Sequence, residues 1–168
     1  MDFHVEQLVT KKKEALDYIK AAGLCLATVV VWFLIIMFLH NLGMIASVLV
    51  VLAGWGAFRL LQSLNIEYEY ELTNYCLDID KILGKARRKR VIEIDFHNIE
   101  ICTYVTEPEF RNVHGIEKTY DLSGNSAAEG RVFVDFIPDG GKKTRVIILP
   151  CDKLKEYIKK AAPKTSRL

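Results

Sequence analysis

Few residues of this 168-residue chain have the types and spacing that chemistry requires. His4, His40, His97 and His114 are scattered, with no HxxxH or HExxH spacing to put two ligands on one helix face. Cys25, Cys76, Cys102 and Cys151 form no CxxC pair, and they read as reduced thiols on a cytosolic face. Asp78 and Asp80 project from one strand face and could hold a divalent ion; a solvated face balancing nearby arginines is the simpler reading. Asp95 beside His97 could act as a base or metal pair, but its strand-turn context reads as a loop histidine. Gly140-Gly141 belongs to a hairpin turn, since no helix follows it to receive a phosphate. Nucleophile elbow and Walker patterns are missing from the sequence. The residues therefore predict no catalytic residue, no metal, no cofactor and no enzyme.

The most suggestive chemistry is electrostatic. Lys85, Arg87, Arg88, Lys89 and Arg90 form a basic run next to a glycine. One reading is a loop that docks on anionic lipid headgroups, each cation contributing about 1 kcal/mol near a cytoplasmic leaflet. The other is a solvated hairpin balanced by Asp78, Asp80, Glu93 and Asp95. A nucleic-acid partner is not expected, because the run lacks interleaved aromatics and the net charge is only +2.

Charge is distributed very unevenly along the elements that must position these residues. From Ala21 to Phe58 there is no Asp, Glu, Lys or Arg. Residues 21–39 and 43–58 are two apolar stretches, each about 24–29 Å long as helix, separated by His40-Asn41-Leu42. That length matches the hydrocarbon core of a bilayer and predicts a transmembrane hairpin over 21–61. A signal peptide would not be followed at once by a second span, and a buried soluble helix pair would carry a polar stripe. Asn41 and Gly43 supply the permissive backbone for the reversal. Gly23 and Ala27, with Ala53, Gly54, Gly56 and Ala57, form a small-residue packing face. Lys11, Lys12, Lys13 and Lys20 before the first span and Arg59 after the second serve as interfacial anchors, and they place both termini in the cytoplasm. Upstream, Val5, Leu8, Val9, Leu16 and Ile19 recur at roughly helical spacing, so residues 1–20 read as an amphipathic segment. It is either an interfacial helix or an extension of the first span.

Beyond the hairpin the period changes from helical to two. Ile66–Leu72 alternates strictly, and Cys76–Leu83 is its partner across a Thr73-Asn74 turn. After a Gly84–Arg90 connection, strands are predicted at Val91–Phe96 and Ile99–Val105. A long loop spans 106–116, a weak strand Lys118–Leu122, and a further loop 123–130. Arg131–Ile137 and Thr144–Leu149 form a hairpin around Pro138–Gly141. Asp152 is placed to cap a final helix whose apolar face is Leu154, Tyr157, Ile158 and Ala161, and Pro163 ends it.

Seven strands divided four-plus-three, with one closing helix, resemble the pleckstrin-homology-like fold. The stretch IEYEYELTNYCLDIDKILGKARRKRVIEID resembles a family of small bacterial membrane proteins with two transmembrane helices beside such a cytoplasmic domain. The resemblance implies a membrane α-helical hairpin plus an α+β domain at 66–162, a seven-strand barrel or sandwich capped by the C-terminal helix, with 163–168 as a tail. It implies a membrane-tethered, non-catalytic binding or scaffold module, with membrane lipids as partners. The alternative is a protein-interaction or oligomerisation module, acting on a membrane protein partner or through self-association of the hairpin. Phosphoinositide recognition is not expected, since in the eukaryotic relatives the basic residues occupy the first hairpin loop, here Thr73-Asn74-Tyr75.

Overall fold

The computed structural model describes residues 4–39, 41, 43–112, 115–138 and 141–168. His40, Leu42, His114 and the Asp139-Gly140 part of the last turn lie outside the described residues. The chain divides into two compact units, one of Lys12–Ile66 with Leu83–Ala86, the other of Met1–Lys11, Glu67–Ile82 and Arg87–Leu168.

The first unit is helical. α1 (Ala15–Leu39) and α2 (Met44–Ser63) pack on each other and are both long and apolar enough to cross a membrane. Each runs beyond its apolar stretch, so Lys20 and Arg59 lie on helix. Gly43, at φ +46°, precedes α2 in a conformation that a side chain would disfavour. Hydroxyls inside the helices are satisfied locally: Thr28 donates to the Leu24 carbonyl at 2.8 Å and Ser47 to that of Gly43 at 3.2 Å. The helix pair is not joined as a small-on-small contact. Trp32 donates its indole N–H to the Val50 carbonyl at 3.1 Å, and its ring lies 3.0 Å from where a Cβ on Gly54 would stand. Gly23 and Gly56 face open space: a Cβ on either would meet nothing within 4 Å.

The second unit contains two sheets, ordered β1-β2-β3-β4 and β6-β8-β7-β5-β9. The first comprises β1 (His4–Thr10), β2 (Ile66–Thr73), β3 (Cys76–Leu83) and β4 (Arg87–Asp95). The second comprises β5 (Ile99–Tyr104), β6 (Lys118–Asp121), β7 (Val132–Phe136), β8 (Thr144–Ile148) and β9 (Ser166–Arg167). α3 (Glu109–Asn112) is a single turn within the long loop, and α4 (Asp152–Ala161) touches β1 and β9. Tyr70, Leu72, Leu77, Ile79 and Ile94 from the first sheet are fully buried, as are Val132, Val134, Phe136, Val146 and Ile148 from the second. Leu154 and Ile158 of α4 are buried with them.

Several expectations are corrected. Residues 4–10 are a strand, antiparallel to β2 from His4↔Thr73 to Thr10↔Glu67, rather than the amphipathic helix expected within residues 1–20. Gln7 occupies an inward position there and disguises the period of two. Its amide donates to the Leu149 carbonyl at 2.9 Å and accepts from the Cys151 N–H at 2.7 Å. The break between sheets falls before β5, not at the long loop, giving four and five strands among the described residues. The 163–168 tail includes β9, parallel to β5, where Thr103 donates to the Arg167 carbonyl at 3.2 Å. Cys151, not Asp152, is the cap residue of α4; the exposed Asp152 carboxylate pairs with Lys155 at 3.1 Å instead.

Candidate functional site

The basic run is mostly strand rather than loop. Leu83–Ala86 is the turn: Gly84 and Lys85 have φ of +58° and +59°, and the Ala86 N–H donates to the Leu83 carbonyl at 3.2 Å, the pattern of a tight hairpin. Gly84 is required twice over, since a Cβ there would also lie 2.8 Å from the Gln62 carbonyl oxygen. Arg87 to Arg90 then begin β4, and they divide by ion pairing.

Arg88 reaches Glu69 at 2.7 Å and Asp80 at 4.0 Å. Arg90 reaches Asp78 at 3.0 Å, Glu93 at 3.3 Å and Asp80 at 3.8 Å. Both guanidinium groups thus lie over an acidic sheet face built by the alternate residues of β2 and β3. Burial pushes the Asp78 carboxyl above its usual range, and the Arg90 charge opposes that shift. The balancing role expected of Asp78 and Asp80 is the geometry found. Lys85, Arg87 and Lys89 are exposed and make no ion pair among the described residues.

Asp95 and His97 do meet, Nδ1 to Oδ1 at 2.7 Å, but the arrangement is a cap. The same carboxylate accepts the His97 N–H at 2.9 Å, and these two bonds hold the Asp95 carboxyl below its usual range. His97 also lies against Tyr75, ring centroids 5.0 Å apart. The Cys76 thiol is pushed up to about 11, chiefly by burial and then by its hydrogen bond to Glu93. It is therefore a poor nucleophile at neutral pH. Lys11, Lys12, Lys13 and Lys20 stand at the start of the helical pair, and Arg59 near its end lies over the Trp55 ring at 5.7 Å.

Two clusters escaped the sequence reading. Exposed His4 and Glu6 and half-buried Glu71 bring three ligand atoms within 4.8 Å of one another on two paired strands, and reading residues 4–10 as helix concealed it. Asp135 and Arg145, paired across β7 and β8, form a bidentate bridge with both contacts at 2.7 Å. Their side chains are 0% and 6% exposed. Arg145 lies over the Phe110 and Phe133 rings at 4.7 and 4.5 Å and donates to the Phe110 carbonyl at 2.7 Å. The only signal was one residue of opposite charge within each strand of a predicted hairpin. The pair holds the long loop on the sheet through the Arg145 bond to the Phe110 carbonyl.

Two sheets with a helix after the last long strand, joined to a pair of membrane-length helices, define the class: a PH-like module carrying apolar helices. A family model described as "Bacterial PH-like domain (DUF6106)" matches residues 1–167, and the chain belongs to that family. Neither a curated protein nor a solved structure matches the chain. PH-like domains are generally non-catalytic.

Proposed function

We propose that this protein is a membrane-anchored, non-catalytic binding module, its PH-like domain held at the cytoplasmic face and docked on anionic headgroups through Lys85, Arg87 and Lys89. In this reading α1 and α2 span the bilayer, Lys11, Lys12, Lys13, Lys20 and Arg59 mark the cytoplasmic interface, and both termini are cytoplasmic. The two sheets form the sandwich that α4 closes. The observation that carries the docking is the division of the basic run: Arg88 and Arg90 are engaged by Glu69, Asp78, Asp80 and Glu93, whereas the other three cations are exposed and unpaired among the described residues. Three such charges near an anionic surface supply about 3 kcal/mol.

The test is amide hydrogen exchange across residues 84–90 of the full chain in nanodiscs. Anionic lipid slows exchange relative to zwitterionic lipid, and the difference vanishes when Lys85→Asn, Arg87→Gln and Lys89→Gln are combined. Asn at position 85 keeps a residue that tolerates positive φ. Equal exchange in the two lipids rejects the docking. A second reading, self-association through the helices, is supported by Gly23 and Gly56, which leave open space for an approaching helix.

A further inference from the structure

The helical pair carries a cleft whose two ends differ in chemistry. At one end Lys13, Asp17, Tyr18, Ala21, Gln62 and Asn65 surround a space of about 320 Å³. Cys25, Thr28, Val29, Trp32, Gly54 and Ala57 line a second space of about 280 Å³. Phe58 and Leu61 border both, so the two spaces are neighbours between α1 and α2. The first space is largely apolar in its lining, but it carries donors at its edge: the Lys13 ammonium, the Tyr18 hydroxyl and the Gln62 and Asn65 amides have no side-chain partner among the described residues. Asp17 is the only acid on this lining, and its carboxylate already accepts the Glu14 N–H at 3.2 Å. The other end is almost wholly apolar. Its lining includes the Trp32 ring of α1 and the small residues Gly54 and Ala57 of α2.

From this gradient we infer that the groove holds one anionic phospholipid, its phosphate against Lys13, Tyr18, Gln62 and Asn65 and an acyl chain along Trp32, Gly54 and Ala57. The polar donors lie at the level of Lys13, one of the proposed interfacial anchors, and the apolar lining continues into the segment proposed to cross the hydrocarbon core. An ammonium and three neutral hydrogen-bonding groups suit a phosphodiester. A second helix would instead leave them unmatched against an apolar face. The inference rests on the reading that α1 and α2 lie in the bilayer, but not on the headgroup docking of Lys85, Arg87 and Lys89.

Native mass spectrometry of the full chain, extracted in mild detergent and offered phosphatidylglycerol or phosphatidylcholine, reads this site. The wild-type chain retains one phosphatidylglycerol in preference to phosphatidylcholine. Lys13→Gln lowers that preference about fivefold, the loss of one cation near a phosphate. Ala57→Phe, which fills the apolar end, removes retention of both lipids, and the combined Lys85→Asn, Arg87→Gln, Lys89→Gln variant retains lipid like the wild type. Carbonate extraction of the same membranes separates failures. Release of the protein by carbonate overturns the membrane anchoring and the groove together. An embedded protein that retains no lipid, that retains it equally after Ala57→Phe, or that shows a dimer abolished by Ala57→Phe overturns the groove alone.

Discussion

Asp135 and Arg145 are the two residues whose charges the fold handles most strictly. A carboxylate and a guanidinium removed from water are tolerable only when their geometry is good and every remaining donor finds an acceptor. Here two parallel N–H···O bonds of 2.7 Å satisfy the carboxylate, and the Phe110 carbonyl takes a further guanidinium N–H. Two aromatic rings stack on the cation and exclude water. Removing one partner leaves the other buried and uncompensated. Asp135→Asn is therefore expected to cost about 3–5 kcal/mol, whereas Asp135→Leu combined with Arg145→Met, which removes both charges, costs much less. Denaturant melts of the full chain in detergent check this, and equal losses in the single and double variants would count against the account. The sequence showed only that Asp135 and Arg145 lie on the two strands of one hairpin. It could not show that Phe110, from a loop read as irregular, would cover that face and turn a surface pair into an interior one.

Among the elements, the β3–β4 turn is the most sharply determined. Its two central residues both take positive φ, and the first also meets backbone: the Gln62 carbonyl leaves no room for a Cβ, and the Gly84 N–H donates to the Asn65 carbonyl at 2.8 Å. Gly84→Ala meets both penalties and is expected to destabilise by about 1–3 kcal/mol in thermal or denaturant melts. Lys85→Asn, which keeps a tolerated conformation, is expected to be near neutral; equal effects at the two positions would remove the steric argument. β2 was legible because apolar Tyr68, Tyr70 and Leu72 hold its most buried positions in strict alternation; β7 was legible as a strand, though not as one buried throughout, Asp135 included. β1 was not, since Gln7 points inward and Leu8, 62% exposed, points out, so that the apolar residues mimic helical spacing. β9 has two residues and no periodicity at all, and only its pairing with β5 defines it. The basic run was legible as chemistry but not as geometry, because nothing local told Arg88 and Arg90, which turn to the acidic face, from Lys85, Arg87 and Lys89.

At the scale of the whole chain, the two apolar helices are an insertion between neighbouring strands of one sheet. β1 ends at Thr10, β2 follows the helices, and Thr10 pairs directly with Glu67, so the chain leaves the sheet and returns to it one strand apart. Chain ends held about 5 Å apart suit an even number of spans in the proposed topology, because both feet must emerge on the same side of the bilayer. This arrangement also explains why the apolar segment was the clearest feature of the sequence while β1 was not recognised as part of the sheet. The sheet is completed by residues on the far side of the helices, and no local pattern announces a pairing across more than fifty residues of insertion. The same register predicts that the helices are dispensable for the sheet. Replacing residues 11–66 by a short loop containing Asn-Gly, whose positive-φ preference matches hairpin twist, joins Thr10 to Glu67 as an ordinary hairpin closure. The shortened chain is expected to be soluble without detergent and to melt cooperatively. Deleting residues 1–10 as well is expected to abolish that transition, because it exposes the edge of β2 and leaves the Leu149 carbonyl and Cys151 N–H without their Gln7 partner. A cooperative melt that survives loss of residues 1–10 would show that β1 is a passenger on the sheet and that the domain begins after the helices.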